Sequence, residues 1–189
     1  PNLPVRDTEA SIDQLRAMLF REKAHYCKAC TDYLNGVALN SDRVTESWRR
    51  RLCEWIFEVV DHFGFDREVV SIALNYLDRT VSLTAESSNK PISKREFQLF
   101  AVTSLYIAIK LHGETDVTEG PRLKLKISSF QELSRGFFRV ETIESMEMRI
   151  LSSLKWRMNP PTPAQFIALL LRLLPEWPCN EYEHSYREV

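Results

Sequence analysis

The segment from Phe97 to Leu111 constrains the fold more than any other part of this sequence, because nearly all of its residues are apolar or small. A helix of that composition has no polar face to turn toward water, so it must be surrounded by other helices. Ser93 and Glu96 stand just before the segment with the spacing of a capping box, which predicts where the helix begins. The sequence therefore predicts a helical bundle built around this central helix.

Helical periodicity extends over most of the remaining chain. Only five of the 189 residues are glycine, and no segment sustains the alternation of apolar and polar residues that marks a strand. Around the central helix we predict further helices, which run over roughly Thr8–Leu34, Thr45–Gly64, Asp66–Leu83, the short segment FQELSRGFF, Glu141–Lys155 and Thr162–Pro175. The predicted fold class is all-α.

Several of these helices carry local signals at their ends. Asn35 and Gly36 form a favourable C-cap pair for the first helix. Ser128 and Gln131 repeat the capping-box spacing before FQELSRGFF. Thr162, which is followed by a proline at the first helical position, is the expected N-cap of the last helix.

The composition indicates a soluble globular protein and argues against two classes of partner. The chain is 44% hydrophobic and 27% charged, with a formal net charge of −1, whereas nucleic-acid-binding domains usually carry a basic excess. The apolar segment FIALLLRLL at 166–174 contains Arg172, and it is much shorter than the ~18 residues of a membrane span. We therefore expect a protein partner, with no nucleic acid and no membrane.

The cysteines give no persuasive metal site. Cys27 and Cys30 have the CxxC spacing, and His25 is a third candidate ligand. A structural zinc ion needs four ligands, and no second motif follows, so we interpret these residues as ordinary helix cysteines. No metal and no cofactor is predicted, and the cysteine usage fits a reducing intracellular compartment, the nucleus or the cytoplasm or both.

Two charged residues, Lys110 and Glu147, stand where the pattern of their helices asks for apolar residues. Asp78 and Arg79 fall outside the apolar stripe of the third predicted helix. Lys110 ends the run FAVTSLYIAIK, and Glu147 interrupts the stripe formed by Ile143, Met146, Ile150, Leu151 and Leu154. An unpaired buried charge is costly, by roughly several kcal/mol. Lys110 and Glu147 therefore either pair with each other, reach solvent at a helix edge, or serve a protein partner.

Four segments resemble the cyclin box in order and spacing over about 120 residues. WRRRLCEWIFEVVDHFGF is similar to its first helix, with matching residues at Trp48, Leu52, Trp55, Glu58 and Val59. NYLDRTVS at 75–82 resembles the second helix, and FQLFAVTSLYIAIK at 97–110 the buried third. MEMRILSSLKWRMNPPTPAQF at 146–166 resembles the fifth helix and the linker into a second cyclin fold.

The resemblance implies a domain organisation. Residues 45–159 would form a five-helix cyclin box around the buried central helix, preceded by an N-terminal helix and linker over 1–44. Residues 160–189 would hold a linker and the first helix of an incomplete second fold. The chain would then be a fragment of a two-box cyclin or a minimal one-box form. An exposed face on FIALLLRLL would favour dimerisation or packing against the first box.

The resemblance also implies a function without catalysis. Cyclins bind cyclin-dependent Ser/Thr kinases and push the kinase αC helix inward, and Lys110 and Glu147 match the residues that hydrogen-bond the backbone around that helix. The apolar residues expected beside them are Ile107, Leu111, Leu151, Trp156 and Met158. A cell-cycle cyclin is the leading interpretation. A transcription-associated or environment-responsive cyclin, or a cyclin-fold adaptor without kinase activation, is the alternative.

A second surface implied by the family is a docking patch for Arg-x-Leu segments of substrates or inhibitors. The matching residues are Trp48, Leu52, Trp55, Glu58 and Gln98. Arg51 departs from the pattern, because an apolar residue is expected there and a positive charge would repel a basic peptide. The alternative is that Leu52 and Trp55 only pack the core, while Arg49, Arg50 and Arg51 form a solvated or acid-binding face.

Two weaker signals remain. The segment from Arg16 to Leu19 fits the RxxL form of a destruction motif, but it lies in a predicted helix, so we expect it to serve packing. His62, His112 and His184 have no acid and nucleophile at motif spacing, and we interpret them as surface or loop residues.

Overall fold

The computed structural model describes residues 5–26, 34, 44–87, 92–113 and 125–174, and all regular elements within these ranges are helices. In chain order they are α1 (Val5–Arg21), a π-helical turn (Glu22–Tyr26), α2 (Glu46–His62), α3 (Glu68–Ser87), α4 (Lys94–His112), α5 (Ile127–Leu133), α6 (Val140–Ser153) and α7 (Pro163–Leu173). The all-α prediction is confirmed. None of these helices is both long and apolar enough to cross a bilayer.

Helix α4 lies at the centre of the bundle, as its composition predicts. It packs against α2, α3, α5 and α6, and Phe97, Phe100 and Leu105 are completely buried. The side chain of Ser93 accepts a hydrogen bond from the amide of Glu96 at 3.2 Å, which confirms the predicted N-cap. The Glu96 carboxylate, however, accepts from Arg149 Nη1 at 2.8 Å. It therefore links α4 to α6, two helices that also share the core.

The apolar stripes of α3 and α6 pack against this central helix and complete one core. Val69, Val70, Ala73, Leu77 and Val81 of α3 are buried. So are the α6 residues whose stripe Glu147 interrupts, namely Ile143, Met146, Ile150, Leu151 and Leu154. Periodicity thus predicted the apolar stripes that α3 and α6 contribute to the core.

The structure buries Asp78, although it lies outside the apolar stripe of α3. Asp78 is 5% exposed, and Arg49 of α2 donates to both of its carboxylate oxygens, from Nε at 3.0 Å and from Nη2 at 2.6 Å. A bidentate guanidinium is the partner that satisfies a buried carboxylate best. Arg49 is therefore not part of a solvated arginine face, and that part of the alternative interpretation is wrong.

Arg79 is buried beside Asp78, on the side of α3 that faces the N-terminal segment. Only 4% of its surface is exposed. Its Nη1 lies 3.2 Å from both Asn75 Oδ1 and the carbonyl oxygen of Arg157, and its guanidinium carbon lies 4.7 Å from the centroid of the Tyr26 ring. Burial lowers the pKa of Arg79, while these acceptors and the aromatic face support its charge. The N-terminal segment thus covers a charge that the helix pattern alone leaves outside the core.

One predicted helix start is wrong. Helix α5 begins at Ile127, with Lys126 at the N-cap and no side-chain cap, so Ser128 lies inside the helix. The side-chain oxygen of Gln131 accepts from the amide of Val140 at 3.2 Å. Gln131 therefore satisfies a free backbone amide in the first turn of α6. A rule based on local spacing cannot predict this role.

The first and last helices pack against each other. The capping prediction for α7 is confirmed, because Thr162 accepts from the amide of Gln165 at 3.2 Å with Pro163 at the first helical position. The Thr162 hydroxyl and Gln165 Nε2 also donate to Glu68 at the start of α3. The predicted C-cap at Asn35 falls outside the described residues.

Candidate functional site

Lys110 and Glu147 meet on the outside of the α4 and α6 pair. Lys110 lies in the last turn of α4, and its Nζ donates to Glu147 Oε1 at 2.9 Å. The lysine side chain is 51% exposed, while that of Glu147 is 13% exposed. The two charges therefore pair with each other in this chain, and neither is an unpaired buried charge.

The environment keeps Lys110 protonated. The hydrogen bond to Glu147 raises the pKa of Lys110 and outweighs the opposing effect of partial burial. The ring of Tyr106 lies beneath the ammonium, with its centroid 5.4 Å from Nζ. An ammonium has three N–H donors and a carboxylate accepts at several positions, so the pair keeps capacity to bind the backbone of a second protein.

The apolar residues expected beside this pair differ in their exposure. Leu111 is half-exposed, Trp156 is 64% exposed, and Met158 is partly buried. With Lys110 and Glu147, these three residues form what we call the Lys110–Glu147 surface. The other two residues predicted here do not reach it, because Ile107 is 1% exposed and Leu151 is 8% exposed. They support the surface from the core, and direct contact with a partner is not available to Ile107.

A sharp turn places Trp156 outside the bundle. Helix α6 ends with Lys155 N bonded to Ser152 O and Trp156 N bonded to Leu151 O, both at 3.0 Å. This is the Schellman pattern, but both residues that adopt the left-handed conformation carry side chains, with φ of 51° at Lys155 and 59° at Trp156. The signal that usually marks such a turn, a glycine, is missing from the sequence, so sequence reasoning could not find it.

A small polar cluster holds the chain just after that turn. The carbonyl of Met158 accepts a hydrogen bond from the hydroxyl of Tyr76, and His112 Nε2 lies 2.9 Å from the same oxygen. Burial raises the pKa of Tyr76, which keeps the hydroxyl a donor. His112 is thus a partly buried residue of the last turn of α4, and its interpretation as a surface or loop residue is wrong.

The second predicted surface contains an open groove of about 470 Å³. We call it the Trp55 groove; it is lined by Leu52, Trp55, Gln98, Val102, Leu133, Ser134, Arg135, Phe137 and Phe138. Leu52, Trp55 and Gln98 were predicted for the docking patch. Trp48 and Glu58 do not line the groove: the Trp48 ring lies 5.1 Å from Lys94 Nζ, and Glu58 is exposed on α2.

The wall opposite α2 comes from residues 133–138, which sequence reasoning did not assign to the site. Arg135 adopts φ of 53° in the turn after α5 and lines the groove. Phe137 is half-exposed, and its ring centroid lies 4.9 Å from the guanidinium carbon of Arg95. Leu52 and Trp55 are only partly buried, so they pack against the core and also line the groove. The core packing offered as the alternative is therefore observed for both residues, whereas docking at the groove stays a prediction.

The weaker candidates add no site. No group of three or more potential metal ligands occurs in the part of the chain that the structure describes, and Cys27 and Cys30 lie outside it. Arg16 is bonded to Asp13 at 3.2 Å on the surface of α1, and Leu19 is half-exposed. The packing role expected of that segment falls to Met18, which is buried.

Comparison with known proteins identifies related chains. The family model for the cyclin N-terminal domain matches residues 16–159. Cyclin-D3-2 of Arabidopsis thaliana is 34% identical over 126 residues, which cover 67% of this chain and 32% of the relative. G1/S-specific cyclin-D1 of Homo sapiens is 30% identical over 162 residues, which cover 86% of this chain and 48% of the relative. The chain thus spans less than half the length of each of these two relatives.

The family match and the fold describe the same part of the chain. Residues 16–159 include the complete group of helices that packs around α4. The motifs at Trp55, Asp78, Lys110 and Glu147 occur within it in the order that the cyclin box requires. This chain therefore belongs to the cyclin family.

Proposed function

We propose that this chain is the regulatory subunit of a cyclin-dependent kinase that acts in cell-cycle progression. It does no chemistry itself; it binds the kinase and stabilises the active position of the αC helix. Membership of the cyclin family and the similarity to cyclins of the D type support this proposal. The observation that carries it is the Lys110–Glu147 surface, which combines a charged pair with the exposed apolar side chains of Leu111 and Trp156.

That combination suits a protein interface better than a folding role. The exposed surfaces of Leu111 and Trp156 contribute nothing to the stability of the isolated chain. Their burial against a partner would supply binding affinity. Lys110 would donate to exposed carbonyl groups and Glu147 would accept from free amide N–H groups. Such charged contacts determine register and suppress wrong partners, while the apolar contacts supply most of the binding energy.

The proposed activation step takes place in the kinase. An inward αC helix brings its glutamate to the lysine that positions ATP, and both must be in place for phosphoryl transfer. The cyclin shifts that equilibrium only through its differential affinity for the inward state. A rigid surface is therefore required, and the Tyr76 hydrogen bond to the Met158 carbonyl restrains the segment that follows Trp156.

The test is a pull-down and kinase assay of the chain against a panel of cyclin-dependent kinases. We expect one or a few kinases to bind and become active, and the double variant Lys110→Ala, Glu147→Ala to lose both effects. The matched control is Asp61→Ala, Arg67→Ala, which removes another exposed ion pair with two hydrogen bonds at 2.9 Å. Circular dichroism must show that both variants fold.

The panel also separates the alternatives. Binding to a kinase of the transcription-associated class alone would favour that type of cyclin over a cell-cycle role. If no kinase binds, or if the Lys110 and Glu147 variant binds as well as the control, the kinase-activating function is wrong. A cyclin-fold adaptor that does not activate a kinase would then be the better interpretation.

We also propose that the Trp55 groove docks Arg-x-Leu segments of substrates or inhibitors. The specific observation in its favour is that the groove already exists in the isolated chain, with Leu52 and Trp55 on α2 and Gln98 on α4. Glu58 lies one turn beyond Trp55 and is exposed, so it can accept the arginine of the segment. Titration of labelled Arg-x-Leu peptides, with Gln98→Ala as the groove variant, tests this function.

A further inference from the structure

We infer that the Trp55 groove selects Arg-x-Leu segments that carry an aspartate or glutamate immediately after the leucine. This inference rests on the docking function proposed above and adds the chemical class of segment that the groove accepts. The reason lies in Arg51, which occupies a position where the cyclin pattern has an apolar residue. Its charge is an obstacle for a purely basic peptide and an attraction for one with an acidic residue at the right distance.

Arg51 differs from its two neighbours in the arginine run. Arg49 is bonded to Asp78, and Arg50 is bonded to Glu46 at 3.3 Å. Arg51 is exposed, and within the described ranges its guanidinium makes no ion pair. On a helix it shares a face with Trp55, four positions later, which lines the groove. Arg51 is therefore placed for a ligand of the groove.

A second arginine approaches from the other wall. Arg135 lines the groove and is exposed, and within the described ranges its side chain is likewise without an ion pair. Its backbone is held by the turn after α5, where Arg135 N is bonded to Glu132 O at 2.7 Å and Gly136 N to Gln131 O at 2.8 Å. Arg135 is thus a cation of the groove wall itself, while Arg51 lies beside the groove on α2, one turn before Trp55. A carboxylate bound in the groove would be attracted from two sides.

The spacing on α2 determines where the acidic residue belongs. Glu58 lies seven positions after Arg51, which is about 10 Å along the axis at about 1.5 Å per residue. An extended peptide covers that distance in about three residues at about 3.3 Å each. With the peptide arginine at Glu58 and the leucine against Leu52 and Trp55, the fourth residue falls at Arg51. The groove therefore fits the order arginine, any residue, leucine, acidic residue.

The same charge works against other segments. A lysine or arginine after the leucine would meet Arg51 directly, and such repulsion is an effective way to reject a wrong ligand. An uncharged residue there would leave Arg51 solvated and would change the affinity of the peptide little. The groove would thus rank segments by their fourth residue, with acidic first, neutral second and basic last.

Fluorescence anisotropy with three labelled peptides tests this ranking. The peptides share an Arg-Ala-Leu core and differ only in the next residue, which is glutamate, alanine or lysine. We expect the glutamate peptide to bind about fivefold more tightly than the alanine peptide, and the lysine peptide about fivefold more weakly. Arg51→Glu should invert this order. Arg50→Glu changes the net charge equally but lies on another face of α2, so it should preserve the order.

The outcomes separate this inference from the docking function. If all three peptides bind equally and Gln98→Ala weakens them equally, docking stands and the charge selection is wrong. If no peptide binds the native chain, the docking function fails and the inference fails with it. If Arg50→Glu inverts the order as fully as Arg51→Glu, net charge rather than the groove explains the ranking, and the inference is overturned. Thermal unfolding of each variant confirms that it folds.

Discussion

Among the ion pairs that join neighbouring helices in the described part of the chain, two differ mainly in burial. Arg49 and Asp78 join α2 to α3 with side chains that are 27% and 7% exposed. Lys110 and Glu147 join α4 to α6 with side chains that are 51% and 13% exposed. We call them the inner and the outer pair. The inner pair has two hydrogen bonds, at 3.0 and 2.6 Å, whereas the outer pair has one, at 2.9 Å.

The difference explains how the same chemistry can serve structure in one place and recognition in another. A buried, bidentate pair cannot separate without a large cost, because two hydrogen bonds to a buried carboxylate are lost. An exposed ammonium with one hydrogen bond can turn to a new acceptor at little cost, because water solvates it throughout. The inner pair is therefore part of the fold, and the outer pair is available to a partner.

Removing one member of the inner pair should have the largest effect on stability. Asp78→Ala removes both hydrogen bonds that Arg49 donates to a buried carboxylate, so we expect the free energy of unfolding to fall by about 3 kcal/mol. Urea denaturation measures the change. Arg50→Ala, in an exposed pair with Glu46 on the same helix, should change stability by less than about 0.5 kcal/mol. Equal effects of the two substitutions would contradict the structural role of the inner pair.

Breaking the outer pair should matter far less for the fold. Glu147→Gln should lower the free energy of unfolding by at most about 1 kcal/mol, since the Lys110 ammonium that loses its charged partner is half-exposed. A double-mutant cycle in urea gives the coupling energy between the two residues. A coupling as large as that of Arg49 with Asp78 would show that the outer pair is structural, and the comparison would then fail.

A substitution in the turn beside the outer pair should stabilise the folded chain. Lys155 adopts φ of 51°, where Gly64 stands in the equivalent turn after α2 with φ of 66°. Lys155→Gly removes the steric penalty of a side chain in that conformation but adds freedom to the unfolded chain, so we expect a gain of about 0.5 kcal/mol. Thermal unfolding measures it. Ser153→Gly, within α6, is the control and should lower stability by about 0.5 kcal/mol.

The smallest expected effect is the pH dependence of the outer pair. Because the pKa of Lys110 is raised in the folded chain by its hydrogen bond to Glu147, the stabilisation is complete below the ordinary lysine pKa. It is lost as the pH rises through the raised value. The stability difference between native chain and Lys110→Ala should thus be constant from pH 6 to 9 and shrink only in strong alkali. A stability difference between the two chains that disappears near pH 7 would contradict a raised pKa of Lys110.

The two surfaces were predictable from sequence to different degrees. Lys110 and Glu147 could be singled out because each breaks an apolar pattern. The burial of Ile107 could not be foreseen, since it depends on the helices that pack around α4. For the Trp55 groove, the α2 and α4 residues were predicted only through the resemblance to the cyclin box. The wall that carries Arg135 comes from a turn after α5, and no local pattern relates it to α2.

By itself the sequence determined the helices, the buried position of α4, the N-caps at Ser93 and Thr162, and the family to which the chain belongs. These features depend on the identity and spacing of residues close together along the chain. Only the tertiary structure decided that Asp78 and Arg79 are buried, that Lys110 and Glu147 bind each other, and that Arg135 faces the groove. Those outcomes depend on which distant helix or turn covers a side chain, and periodicity along one helix carries no information about that.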